Sequence, residues 1–381
     1  MTKLGKTRRE LLRVWHQGVD AVTAPLDDRR KRQHDATFTR RIRSWAGDRP
    51  ATAKIALFLI HQPGRLAASI LVTCAHLCDN GYAILLVSNS RLDDAGVDAL
   101  RPLCWRMVER PNYGYDFGGY RDGVRILTEA GLDPDFLLIL NDSVWFPTNP
   151  ACRLLAAQEA QGLGYTGPVF VHTPEKRDNR HYQSFFLLVG RTGLQSPAFR
   201  DYWRDVRVSS EKRVVLKHGE KGFSQAMLRA GLGAPGPTTK DAVLAALAAQ
   251  PNAEVRRTLA YASYRDAASL AEGAALLAAF AEDDGWRQSA LGHIARTHRA
   301  ASTMGMFVYA TTHLLDLAFL KKRNVVAEFD GARWQYVRAV RNGDLPAPHP
   351  DIWAEILASR MDPGLTTDPS NPGRAAATQG A

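Results

Sequence analysis

The residues from Ile55 to Ile60 form a short, unbroken apolar run between Pro50 and the turn-forming His61-Gln62-Pro63-Gly64, the pattern of a strand buried on both faces. Leu66, Ile70, Cys74 and Leu77 then recur at three- and four-residue spacing, which predicts a helix stopping near Asn80 and Gly81. A second apolar run, Tyr82 to Val87, ends in Ser88-Asn89-Ser90. The alternation continues with a strand predicted near Trp105 to Val108, a helix from about Gly119 to Glu129 and a strand from Phe136 to Leu140. Strands alternating with helices at this spacing predict an α/β fold, a parallel sheet with helices on its faces. Ligands of such sheets bind at the carboxyl ends of the strands, so chemistry is expected in loops 61–65, 88–93, 111–118 and 141–147.

Beyond Ala151 the pattern loosens. Tyr182 to Val189 reads as a strand, Phe223 to Ala230 as a short helix, and 240–320 as alanine-rich and helical. The longest apolar run, Met304 to Leu320, is interrupted by His313 and Asp316. It falls short of the ~20 apolar residues of a membrane span and is expected to be a buried helix. Residues 362–381 hold almost no large apolar side chain and are expected to form a disordered tail. The expected organisation is a basic helical leader over 1–50, an α/β unit over 51–235, a helical region over 236–361 and the tail.

At 381 residues and 45% hydrophobic content the chain can bury the core of one large domain or two unequal ones. No basic head, apolar run and small-residue cleavage site follow one another near the start, so a cytoplasmic location is expected. Cys74, Cys78, Cys104 and Cys152 stand in apolar surroundings without zinc-site spacing and read as reduced core residues. The formal charge of +10 is uneven, since residues 1–50 hold thirteen Lys or Arg against six Asp or Glu. Two readings of that leader stay open: a contact with the acidic inner face of the cell membrane, and a solvated helical hairpin. No aromatic-basic interleaving or recognition motif accompanies the charge, so no nucleic-acid partner is expected.

The densest unusual cluster runs from Arg110 to Tyr120 and holds three glycines, three tyrosines, Asn112 and Asp116. Gly114, Gly118 and Gly119 permit close approach of backbone to a ligand, while Asn112 and Asp116 offer groups for ribose or base hydroxyls. The pattern is not the dinucleotide fingerprint G-x-G-x-x-G. A second cluster, Leu140-Asn141-Asp142-Ser143-Val144, stands where a buried strand meets solvent. An acid there is costly without a partner. Either a divalent cation bridging a diphosphate supplies it, or Asn141 and Asp142 build an Asx turn or helix cap.

Together the clusters resemble the rhamnan synthesis F family of glycosyltransferases. Asn112-x-Gly114-x-Asp116-Phe117-Gly118 is followed about two dozen residues later by Asn141-Asp142-Ser143. Gln183-Ser184-Phe185-Phe186 resembles the family's Q-S-aromatic-F strand, and Glu220-x-Gly222-Phe223-Ser224 its E-x-G-hydrophobic-S segment. Thr312-His313, with Phe319-Leu320-Lys321 after it, resembles a distal T-H and F-L-K pair. The resemblance covers roughly residues 53–330 and implies a glycosyltransferase A-like, Rossmann-type sheet followed by a mainly helical C-terminal region.

It further implies that Asn112, Gly114 and Asp116 line a nucleotide-sugar pocket, with Asn89 near the nucleoside and Asp142 facing the donor diphosphate beside Asn141 and Ser143. The usual D-x-D is replaced by Asn141-Asp142-Ser143, with one carboxylate. Charge on the diphosphate is then met by Mg2+ or Mn2+ held at Asp142, toward which the lone acid inclines the reading, or by cations such as Lys217, Lys221 or Lys321. The acceptor hydroxyl must lose a proton as it attacks, and Glu220 is the expected base; a charge stabilising a helix N-terminus is the plainer account. Gln183 and Ser184 are expected to orient sugar hydroxyls, and His313 to stand at the pocket wall unless it is a satisfied core histidine. Trp145 and Phe146 fit an apolar sugar platform or simple core packing. The implied activity is transfer of a deoxyhexose, L-rhamnose from its dTDP donor, to a lipid-linked or oligosaccharide acceptor. A catalytically silent binding module of the same fold is the alternative.

Overall fold

The computed structural model describes residues 3–172, 179–234, 239–300, 304–322, 327–359, 361 and 365–366. The chain begins with a long helix, α1 (Lys3–Arg41), then strands β1 (Arg43–Ala46) and β2 (Lys54–Ile60), helix α2 (Ala68–Asp79), β3 (Ala83–Ser88), helix α3 (Asp94–Leu100), β4 (Arg106–Glu109), helix α4 (Tyr115–Glu129) and β5 (Phe136–Asn141). Strands β2 to β5 are parallel, in the order β4-β3-β2-β5. The short pairs β6 (Val144–Trp145), β7 (Tyr165–Thr166), β8 (Phe170–Val171) and β9 (His181–Tyr182) precede β10 (Phe186–Gly190). β10 runs antiparallel between β5 and β7, and β1 antiparallel along β4, so the seven-stranded sheet is mixed rather than wholly parallel.

Period-2 alternation divides the core between the two faces of this sheet. Ala56, Phe58, Ile60, Ile84 and Leu86 pack with Ile70, Cys74 and Leu77 of α2 on one face. Ile55, Leu57, Leu59, Leu85 and Val87 pack with Phe117, Tyr120 and Val124 of α4 on the other. α4 approaches so closely that a Cβ on Gly119 would lie 2.3 Å from Leu59 Cδ1, and one on Gly123 2.2 Å from Leu57 Cδ1. These glycines therefore set the depth at which the helix sits, and with it the position of its first turn.

Several expectations are corrected. The leader is one helix, not a hairpin, and its second half docks: Phe38 is buried, the Asp35 carboxylate takes two bonds from Arg121 at 2.6 and 2.8 Å, and Asp27 pairs with Arg207 at 2.7 Å. Helix α4 starts four residues earlier than the spacing predicts, so Asp116 lies in its first turn. The strand expected over 182–189 divides into β9 and β10, because Ser184 turns to bond Glu220.

The run from Met304 to Leu320 is helical only over Val308–Leu315. Asp316 then adopts φ 49°, its carboxylate accepting the Arg153 N–H at 2.7 Å, and the chain leaves into β12 (Leu320–Lys321), which pairs with β6, β11 (Ser263–Tyr264) having come before this helix. Helices 240–248, 252–260, 284–300 and 308–315 share a separate core around Val255, Leu259, Trp286 and Phe307. Helix 350–358 packs on α2. Among the described residues no helix is long and apolar enough to cross a membrane. Of the expected tail, Leu365–Thr366 pairs with Ser263–Tyr264, and 362–364 and 367–381 lie outside the described residues.

Candidate functional site

The chain crosses from β2 to β3 and β4 on one side, then returns to place β5 on the other, so the strand order reverses between β2 and β5. Such a switch point leaves a crevice outside the strand ends. Here the crevice is a cleft of about 270 Å³ lined by His61 and Gln62 after β2, Asn89 after β3, Asn112, Tyr115 and Asp116 around the start of α4, Asn141, Asp142 and Ser143 after β5, and Lys322 after β12. All four loops picked out by the hydrophobic alternation contribute to it. Asp116 and Asp142, drawn from different loops, share its wall.

Asp142 is held in place by the strand next to it. Its N–H donates to Leu59 O at 3.1 Å, and its Oδ2 accepts the His61 N–H at 2.9 Å and Gln62 Nε2 at 2.6 Å. Asn141 makes the Asx turn that its sequence context allows, Oδ1 accepting the Ser143 N–H at 3.1 Å, and it also donates from Nδ2 to Asp116 Oδ2 at 3.1 Å. One asparagine thus shapes the turn and ties the end of β5 to the first turn of α4. Asp116 is an anion at a helix N-terminus, the favourable sign for the helix dipole.

Beneath the cleft lies a buried ion network. Arg110 Nε donates to Asp122 Oδ2 at 2.6 Å, its NH2 donates to Tyr113 O at 2.6 Å, and its NH1 to Asn89 Oδ1. His34 Nε2 lies 2.9 Å from the same Asp122 oxygen. Burial alone would raise the Asp122 carboxyl, but Arg110 and His34 outweigh it and hold the group below its ordinary value. Asn89 therefore faces the cleft from a fixed position, and α1 is part of what fixes it. Gly114 shapes this scaffold: at φ 81° it lets the chain turn into α4, and a Cβ there would lie 2.2 Å from Val208 Cγ1.

Glu220 sits in a π-helical segment, Val215–Lys221, that leads into helix 222–229. Its Oε2 accepts the Ser184 N–H at 2.9 Å and the Ser184 hydroxyl at 2.6 Å, and its Oε1 lies 3.4 Å from His181 Nε2. Burial pushes its acidity toward the neutral form, yet these donors prevail and the carboxyl lies below its ordinary value. It does not line the cleft, but two groups adjoin both: the buried Tyr120, whose hydroxyl donates to Ser184 O at 2.9 Å, and the part-buried Lys321, whose Nζ lies 3.3 Å from Ser143 Oγ and 4.1 Å from the Phe185 ring centroid. Burial lowers Lys321 to about 8, against the pull of Glu220 and Asp116.

Six of the expected site residues, Asn89, Asn112, Asp116, Asn141, Asp142 and Ser143, line the cleft. Ser184 binds Glu220, and Gln183 pairs through its N–H with Val169 O at 2.9 Å, a bond that continues the pairing of β8 with β9. His313 is elsewhere, half-exposed beside Asn149, Arg153 and Asp316 in a second cavity, its ring stacked on Tyr309. Trp145 and Phe146 are buried, Phe146 among Phe186 and Phe319, so core packing accounts for Phe146, and Trp145 donates from Nε1 to Glu355 Oε2 at 2.9 Å. His61, Gln62, Tyr115 and Lys322 line the cleft and the Arg110–Asp122 pair supports it, although sequence reasoning gave none of these residues a role.

The donor set at Asp142 does not fit a metal caged by the protein. Among the described residues no three His, Cys, Asp or Glu side chains gather as a metal site. Asp142 already accepts two hydrogen bonds on Oδ2, and Lys322 shares its cleft. Its neighbours Asn141 and Ser143 are neutral, whereas Mg2+ is typically held by one or two carboxylates and phosphate oxygens. A divalent ion here could draw one carboxylate from the Asn141-Asp142-Ser143 segment, with the rest of its shell carried in on the ligand.

Comparison with known proteins places these residues in context. Core-mannan synthase A (CmsA/Ktr4) from Aspergillus fumigatus, solved in a Mn/GDP form, is 10% identical over 49% of this chain and 74% of that one, with a TM-score of 0.29, a likeness too distant to transfer any residue. The uncharacterized protein y4gN of Sinorhizobium fredii is 33% identical over 174 residues, 46% of this chain and 45% of its own length, so the match spans less than half of that relative. Residues 84–233, which carry Asn89, Asn112, Asp116, the Asn141-Asp142-Ser143 turn and Glu220, match the model of the rhamnan synthesis protein F family.

Proposed function

We propose that the chain is a glycosyltransferase that moves a sugar from a nucleotide donor to a hydroxyl of a growing surface polysaccharide, the sugar being a deoxyhexose, L-rhamnose. The observation that carries this reading is the convergence of Asn89, Asn112, Asp116, Asn141 and Asp142, all within the family-matched stretch, on one cleft at the switch point of the sheet. The reversal between β2 and β5, with antiparallel β10 beyond it, also suits the glycosyltransferase A-like arrangement.

Asn89 and Asn112 hold the nucleoside, the Asp116–Asn141 pair meets ribose or sugar hydroxyls, and the turn at Asp142 and Ser143 faces the diphosphate. The acceptor oxygen attacks the anomeric carbon, the bond from that carbon to the diphosphate oxygen breaks, and the hydroxyl proton passes to Glu220. Glu220 is ionised, as a base must be, and Tyr120, Ser184 and Lys321 connect it to the cleft wall. The acceptor, lipid-linked or oligosaccharide, enters from the helical region, and the work is done in the cytoplasm at the inner face of the membrane. Ser184 and His181 hold both Glu220 oxygens, which also suits a silent binding module. Assay of sugar transfer and nucleotide release from dTDP-L-rhamnose and other nucleotide sugars, by the wild type and by Asp142→Ala and Glu220→Ala, separates the two. Turnover lost in both variants is expected of the enzyme. A wild type that binds donors and never turns them over identifies the module.

A further inference from the structure

Lys321 ends the strand that pairs with β6 and Lys322 follows it directly, both across from the end of the Asn141-Asp142-Ser143 turn, the Lys322 N–H donating to Ser143 O at 3.0 Å. The two ammonium groups have different neighbours on either side of this turn. Lys321 reaches Ser143 Oγ on the side of Asp116 and Glu220, and Lys322 lines the cleft on the side of Asp142, with Nζ 2.8 Å from Ser69 Oγ and 3.9 Å from Glu355 Oε2. Around them the cleft offers Asp116 and Asp142, and only the latter belongs to the turn where a metal-binding pair of acids is otherwise expected. We propose that this lysine pair, and not a divalent cation, supplies the positive charge that holds the donor's diphosphate, so that donor binding is independent of metal.

The inference rests on the nucleotide-sugar reading of the cleft, and it is favoured by three features. Asp142 Oδ2 already accepts two hydrogen bonds, from the His61 N–H and from Gln62 Nε2. Both lysines are largely removed from water, where burial weakens their hold on the proton and an incoming phosphate restores it. Each is also anchored, Lys321 over the Phe185 ring at 4.1 Å and Lys322 by Ser69, so little freedom is lost when an anion arrives. Loss of the leaving diphosphate needs the same charge, so one pair of cations serves binding and departure.

The test is calorimetric titration of the full chain with dTDP, UDP and GDP, in excess EDTA and again with Mn2+. At least one of them is expected to bind in EDTA, with Mn2+ changing the affinity less than about threefold, whereas loss of a charge-assisted bond in Lys321→Gln or Lys322→Gln costs about 10- to 100-fold. Lys322→Arg, which keeps the charge, is expected to retain most of the binding, and thermal unfolding identifies any variant that fails to fold. Should Lys321→Gln not fold, Lys322→Gln and Lys322→Arg decide alone. Binding that requires Mn2+, or that survives unchanged in folded glutamine variants, overturns the lysine inference and leaves the nucleotide-sugar site standing. Absence of binding to all three nucleotides in both conditions removes the nucleotide-sugar site itself, and the inference with it.

Discussion

At the scale of single residues, the positions that bear on the cleft divide into those that face it and those that hold them there. Asp122 belongs to the second kind: it is 1% exposed and neutralises Arg110, which in turn fixes Asn89 and the Tyr113 carbonyl. Asp122→Asn leaves the buried guanidinium without its counter-charge, and removal of one partner of such a pair costs about 3–5 kcal/mol. Urea unfolding is the measurement, and the loss is expected at neutral pH, where Asp122 is ionised. Glu220 belongs to the reaction on the proposed reading. Glu220→Gln keeps an acceptor for the Ser184 hydroxyl while removing the base, so turnover is expected to fall about 10²- to 10⁴-fold with donor affinity little changed. Equal losses of affinity and turnover would instead assign Glu220 to packing of the cleft wall.

Sequence motifs single out Asn112, Asp116 and Asp142, because a polar residue at the end of an apolar run stands out against its surroundings. They give no role to Arg110, at the edge of the same cluster, or to Asp122 beyond it. A buried ion pair twelve residues apart looks in sequence like two ordinary surface charges, and only tertiary placement shows that both are covered. Gly114 shows the converse. Its neighbours suggest a ligand contact, while its left-handed backbone and the nearby Val208 account for it without one.

At the scale of elements, the central strands were legible because β2 and β3 are covered on both faces, which leaves runs of apolar side chains with no ambiguity of phase. Shorter or half-covered pieces were not. Helix α3 carries three buried residues in seven, Gly96, Val97 and Leu100, too few for a periodic signal. The start of α4 was obscured by glycines and tyrosines that read as a loop. In the helical region, alanine-rich spacing announces helices but not what they bury, and helix 284–300 encloses His298, fully buried with both ring nitrogens unpartnered.

Burial, reinforced by the charge of Lys240, lowers His298 to about 4. The unfolded chain, with an ordinary histidine value of about 6.5, therefore takes up the proton first. This group's contribution leaves stability whole above pH 6.5, erodes it as pH falls from there toward 4, and levels off below, a loss on the order of 3 kcal/mol. His298→Leu removes the titration without abandoning a hydrogen bond. The difference between the pH–stability curves of wild type and variant is expected to open through that window, and parallel curves would show that His298 is hydrated in the folded protein.

At the scale of the whole molecule, the helical region reaches the cleft through a small set of contacts, and Glu355 is at their centre. From helix 350–358 its Oε1 accepts the Ser69 N–H at 2.8 Å at the start of α2, its Oε2 accepts Trp145 Nε1 at 2.9 Å, and the same oxygen lies 3.9 Å from Lys322 Nζ. One carboxylate thus joins the C-terminal helix to the sheet domain and sets where a cleft cation rests. Glu355→Gln keeps one acceptor oxygen but withdraws the charge and turns an amide toward either Ser69 or Trp145. A loss of about 1–3 kcal/mol is expected in urea unfolding, the cost of a buried donor left without its partner. With the charge gone, Lys322 is freed toward the cleft, and nucleoside diphosphate affinity is expected to change severalfold, which calorimetry reads directly. If stability falls while affinity stays constant, the position of Lys322 is set by Ser69 and the Trp145 face, and the two parts of the chain are joined mechanically without sharing control of the cleft.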